Sequence, residues 1–193
     1  MKTTIKIIQM ALFLCSGFSF AQKNSSGVYL NATDFLNNKI THAGKNTNLS
    51  LHENFGKQHL EVKCKDSIYT YLKKDVFGYS DKEGKNFRFF NSVAYTILNP
   101  KESILLYQKT SGSGLKGSPI MSNYFFSKDA ASDILPLNLQ NLERVFTDNK
   151  SFSHTIEMYF KNDTELIDYD NIHKIYKLNR ILELSKNENT KTN

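Results

Sequence analysis

The sequence predicts an α+β fold: an antiparallel, strongly twisted or barrel-like sheet over about residues 45–127, covered by short C-terminal helices over about 138–184. Three observations predict it. Apolar and polar residues alternate in short runs through the first two thirds of the chain, and turn-forming residues separate those runs at short intervals. After Pro136 the apolar period lengthens from two to between three and four. Runs of strands followed by runs of helices, at this length, predict a single α+β domain spanning 22–185.

Ahead of that domain, residues 1–21 carry Lys2 and Lys6 without an acid, then an apolar stretch from Met10 to Phe20 interrupted by Ser16, Gly17 and Ser19. Ser19-Phe20-Ala21 places small residues three and one before a cut, which predicts a secretory signal cleaved after Ala21 and a periplasmic or secreted destination. Spanning a bilayer takes about 20 continuous apolar residues, so no transmembrane anchor is expected after cleavage. Lipidation at Cys15 is disfavoured by Phe13 and Leu14 before it, and Cys64 is left as the only cysteine of the expected mature chain. Losing Lys2 and Lys6 lowers the formal charge from +6 to +4. Arg88, Arg144 and Arg180 are the only arginines, whereas phosphate-reading surfaces favour the guanidinium fork; nucleic acid is not an expected partner.

Residues 22–27 read as a linker, and Thr33 as the N-cap of a short helix carrying Phe35 and Leu36. Leu49 and Leu51, then Leu60, Val62 and Cys64, alternate with polar neighbours as half-buried strands do. This puts Cys64 on the apolar side, a small buried hydrophobe and not a nucleophile. Further strands are expected at 68–72, 76–79, 87–90, 93–98, 103–107 and 120–126. Asp66-Ser67, Asp81 to Gly84, Asn91-Ser92 and Asn99-Pro100 supply turn chemistry between them. Leu135, Leu139, Leu142 and Phe146 mark one helix, and Phe152, Ile156, Tyr159 and Phe160 a second. Asn162 with Glu165 reads as a cap. Ile172, Ile175, Leu178 and Leu182 line a last helix ending near Leu184, followed by a polar tail over 186–193 expected to be disordered.

Chemistry-bearing motifs are few. Gly112-Ser113-Gly114-Leu115-Lys116-Gly117 satisfies the dinucleotide glycine pattern, but Ser118-Pro119 and a strand pattern follow where a helix would have to open, so a loop is expected and no cofactor. His42, His52, His59, His154 and His173 lack the i, i+4 spacing of a helical metal pair, and surface positions are expected, with His52 and His59 able to approach across a hairpin. No metal and no catalytic residue is assigned. Asp163, Glu165, Asp168 and Asp170 lack the ligand spacing of a calcium loop, and the first turn of a helix accounts for most of the cluster. His173, Lys177 and Arg180, at offsets of four and three on the last helix and opposite its apolar stripe, read first as a solvated face, and are the one candidate interaction face, for an envelope protein or an anionic polymer.

Three stretches carry a resemblance. They are Gly27-Val28-Tyr29 with Asp34-Phe35 and Asn38-Lys39; Phe77-Gly78-Tyr79 with Gly84 and Phe87-Arg88-Phe89; and Asn141-Leu142, Val145-Phe146, Asn149, Phe152, Phe160, Leu166, Tyr169-Asp170 and residues 174–179. Together they resemble a group of exported α+β proteins of Bacteroidetes-type bacteria that has no assigned activity. The resemblance implies compartment and architecture and transfers no catalytic residue. The expected role is a non-enzymatic envelope or secreted binding module; the alternative is a small apolar-ligand binder with a pocket inside a curled sheet.

Overall fold

The computed structural model describes residues 25–51, 58–111 and 121–191. The expected signal with Cys15, the glycine run at 112–117, and His52 with its approach to His59 lie outside the described residues.

Strands β1 (Ser26–Tyr29), β2 (Thr41–Gly44), β6 (Gly78–Ser80), β7 (Asn86–Phe90), β8 (Val93–Ile97), β9 (Leu105–Ser111), β10 (Met121–Ser127) and β11 (Leu135–Pro136) form an eight-stranded sheet in the order β11-β10-β9-β8-β7-β6-β1-β2. Every described neighbour pair is antiparallel. The turn chemistry acts where it was expected. Asn91 and Ser92 both take positive φ, 49° and 63°, in the two-residue turn between β7 and β8. At the β6–β7 turn, Asp81 Oδ1 accepts from the Glu83 and Lys85 amides, and Gly84 supplies a φ of 81°.

Side chains alternate along a strand, so the registers sort them onto two faces. Tyr29, Arg88, Tyr95, Ile97 and Tyr107 fall on one face, and Val28, Tyr79, Phe87, Phe89, Leu106 and Phe126 on the other. The first face is covered by α1 (Ala32–Leu36), whose Phe35 stacks on Phe77 at 4.7 Å, together with Ala130 and Ile134. Inside this cover Arg88 is buried, donating to Tyr107 Oη at 2.9 Å and to the Ser132 carbonyl at 2.8 Å, with its guanidinium over the Phe77 ring.

The second face carries two covers. A smaller sheet of β3 (Asn48–Leu51), β4 (His59–Cys64) and β5 (Ser67–Leu72) buries Leu60 and Val62 on Val28, Tyr79 and Phe89. At the other end lie α2 (Leu139–Val145), α3 (Lys150–Tyr159), a 3-10 turn (Asp163–Ile167) and α4 (Lys177–Lys191). Their Leu142, Phe152, Ile156, Leu166 and Leu178 are fully buried with Leu106 and Phe126.

The α+β class and the C-terminal helices are therefore observed, and the barrel is not. The main sheet stays open, with β11 and β2 at its edges, and residues 45–127 divide between two sheets. Strands β1 and β2, which precede residue 45, complete the larger one. The first helix is capped by Asn31, not Thr33: Asn31 Oδ1 accepts from the Asp34 amide at 2.8 Å. Leu135 sits in a strand, and the N-cap of α2 is Asn138. Cys64 ends β4 half-buried instead of in the core. Helix α4 runs on to Lys191, into the stretch expected to form the tail.

Candidate functional site

The expected helix from Ile172 onward is a hairpin followed by a helix. Strands β12 (Tyr169–Asp170) and β13 (Ile175–Tyr176) pair antiparallel, and α4 begins only at Lys177. His173 consequently lies in the hairpin turn and not on the helix, and Ile172, placed by its spacing on the apolar side, is 87% exposed. Tyr159, expected on the buried side of α3, is 67% exposed.

His173, Lys177 and Arg180 nonetheless come together, because two acids gather them. Asp170 Oδ1 accepts from the amides of Ile172 at 2.9 Å and His173 at 3.0 Å, which closes the turn. Its Oδ2 accepts from His173 Nδ1 at 2.9 Å and from Arg180. An ionised carboxylate can only accept, so Nδ1 carries the imidazole proton in this contact. Lys177 Nζ donates to Asp168 Oδ2 at 2.8 Å, and the Lys177 amide donates to the Asp168 carbonyl at 2.9 Å.

The electrostatics follow from these bonds. The backbone hydrogen bond from His173, with the side chains of His173 and Arg180 and the Ile172 amide, holds the Asp170 carboxyl well below the usual carboxylate range, against a smaller opposing effect of desolvation. The hydrogen bond to Asp168 raises Lys177 above its ordinary value. Both ions are thus fixed as ions by partners within the chain.

This network forms one wall of a cleft of about 450 Å³ between the end of α3 and α4. Glu165, Asp168 and Asp170 supply the acids, and Lys177 and Arg180 the bases. Tyr159 from α3 and Leu184 from α4, 67% and 52% exposed, supply apolar surface beside them. The cations were legible in the sequence. Their acidic partners were not, since a helix first turn accounts for most of the acidic cluster without pairing Asp168 or Asp170 with these cations. Of that cluster, only Asp163 and Glu165 lie in the first turn of the 3-10 segment. There Asp163 Oδ1 accepts from the Leu139 amide, and Glu165 Oε2 from the Lys161 amide beside the Asn162 cap.

Among the other histidines, His59 and His154 are exposed, while His42 Nε2 lies 2.7 Å from Tyr71 Oη and its ring stacks on Tyr69. Among the described residues no group of three or more His, Cys, Asp or Glu side chains is placed to hold a metal ion. No helix among them is long and apolar enough to cross a membrane. Comparison with known protein families, with curated proteins and with solved structures finds no match to this chain.

Proposed function

We propose that this chain is an exported, non-enzymatic binding module of the cell envelope, related to the exported proteins it resembles, and that it docks a protein partner in the cleft between α3 and α4. The observation that carries this reading is the pairing of exposed Tyr159 and Leu184 with an ionic network that is already closed. Protein interfaces place apolar and aromatic anchors within a polar rim, and this cleft has that composition.

An anionic polymer fits less well. Three carboxylates of the cleft, Glu165, Asp168 and Asp170, face two permanent cations, Lys177 and Arg180, so a polyanion would have to displace the chain's own acids. The alternative, a small apolar-ligand binder with a pocket inside a curled sheet, would have to place that pocket on an open sheet and not inside a closed barrel.

The test is co-sedimentation of the purified protein with envelope fractions, untreated or digested with protease. Association is expected to be lost after digestion, lost in Tyr159→Ser with Leu184→Ser, and retained when salt is raised. Association that survives digestion and disappears in salt or in Lys177→Gln with Arg180→Gln would transfer the site to an anionic polymer. Absence of association in every fraction would sink the docking role.

A further inference from the structure

A second depression, separate from the α3–α4 cleft, lies on the doubly covered face of the main sheet. The register across β6, β7, β8 and β9 sets Tyr79, Phe87, Thr96 and Gln108 in one row. One end of the row passes under the smaller sheet, where Tyr79 is buried, and Phe87, Thr96 and Gln108 are left half-buried toward the other. The depression over them has a volume of about 520 Å³, within the roughly 300–1,000 Å³ range of small-ligand pockets.

Its chemistry is one-sided. Among the described residues the lining includes Lys73 and Lys109 and no Asp or Glu. Lys109 shares the face of Tyr107 and sets its ammonium over the Tyr95 ring on the opposite side of the sheet, so the cation available here is Lys73. Lys73 follows β5 and is only 4% exposed, its ammonium 5.8 Å from the Phe89 ring centroid. That ammonium makes no hydrogen bond or ion pair among the described residues. An ammonium taken out of water without an anionic partner is unfavourable, and a ligand anion reverses the penalty.

The remaining groups suit hydroxyls. Gln108 Nε2 donates to Ser122 Oγ at 3.0 Å, which leaves its carbonyl oxygen to accept, and Thr96 offers a hydroxyl beside it. Phe87 presents an apolar ring surface, backed by Tyr79 in a parallel stack at 4.5 Å.

We propose that this depression binds a small polyhydroxylated carboxylate of the sugar-acid class. Its carboxylate pairs with Lys73, its hydroxyls bond Thr96 and Gln108, and its ring face rests on Phe87. The absence of Trp from the chain does not weaken this site, since the stacking surface is a Phe–Tyr pair.

The experiment is calorimetric titration and thermal melting of the full mature chain with digalacturonate, and with lactose as the neutral disaccharide. Digalacturonate is expected to bind and raise the melting temperature, with lactose weaker by roughly tenfold to a hundredfold, the loss of one charge-assisted hydrogen bond. Lys73→Met keeps the stem over Phe89 and removes the ammonium. It is expected to melt higher than the parent without ligand and to lose the preference for digalacturonate. Gln108→Leu leaves the charge in place and is expected to weaken binding while the preference survives. Failure of the folded parent to bind digalacturonate, equal affinity for both disaccharides, or unchanged binding by Lys73→Met would each overturn the assignment.

Discussion

Two covers share one face of the main sheet, and different physics fastens each. The smaller sheet contributes Leu60 and Val62 as its fully buried residues, while β5 turns Ile68 and Tyr69 outward at 65% and 40% exposure. Its ties to the edge strand β2 include the contact of His42 Nε2 with Tyr71 Oη and the stacking of the His42 ring on Tyr69. The helical cover buries whole side chains from α2, α3, the 3-10 turn and α4, and adds a polar clasp. Asn179 of α4, 1% exposed, accepts from the Ile104 amide at 2.8 Å and donates to the Ile104 carbonyl at 2.9 Å, bridging 75 residues of sequence. Asn99, also buried, donates to the same carbonyl and accepts from the Leu106 amide. Apolar burial is non-directional, whereas these bonds admit one seating of the helix. The difference teaches that the smaller sheet is held by apolar burial with its polar tie at a half-buried edge, whereas the cover that forms the α3–α4 cleft is registered by fully buried amides.

The largest effect separating the two covers is expected in their cores. Phe152→Ala, in the helical cover, should cost about 3–5 kcal/mol in urea denaturation. Val62→Ala in the smaller sheet removes the equivalent of two methylenes and should cost about 1.6 kcal/mol. Equal losses would erase the distinction. Asn179→Ala sharpens it from the polar side. Asn99 still serves the Ile104 carbonyl, so the orphaned group is the Ile104 amide, and the expected loss is about 1–3 kcal/mol. A variant as stable as the parent would mean that apolar packing alone seats α4.

The parts of this architecture legible in the sequence are those where one periodicity meets one buried face. Leu60 and Val62 in β4, Leu142 with Phe146, and Phe152 with Ile156 all fall where alternation or helical spacing puts them. Strand β1 has no such period: Ser26, Gly27, Val28 and Tyr29 are all buried because covers lie on both faces. Arg88, a charged residue inside a strand, is buried beside aromatic rings, since both faces of β7 are covered. Ile172 falls on a helical spacing that has no helix beneath it until Lys177. The candidate face shows the same limit. Its cations could be read from offsets of three and four, but what neutralises them is Asp168 at the end of the 3-10 turn and Asp170 in a hairpin that local spacing does not announce.

The smallest effect is expected at the outer rim of the helical cover, at Asp170, where the comparison moves from buried clasps to exposed ion pairs. Four hydrogen bonds to its carboxylate keep Asp170 ionised in the folded chain far into acid. A carboxyl whose folded pKa lies below its unfolded value stabilises the fold fully above about pH 4, the unfolded value. That contribution declines as the pH falls from there through the folded pKa. Asp170→Asn keeps an acceptor oxygen for the turn amides and gives up the charge that His173 and Arg180 use. The variant should therefore be less stable than the parent at neutral pH, by less than Phe152→Ala or Asn179→Ala, because exposed ion pairs contribute little. Urea midpoints of both proteins, followed from neutral pH into acid, should converge as the parent's carboxyl protonates. A gap that stays constant across that range would show that the turn uses the oxygen geometry of Asp170 and not its charge, and the ionic wall of the cleft would then be incidental to the seating of α4.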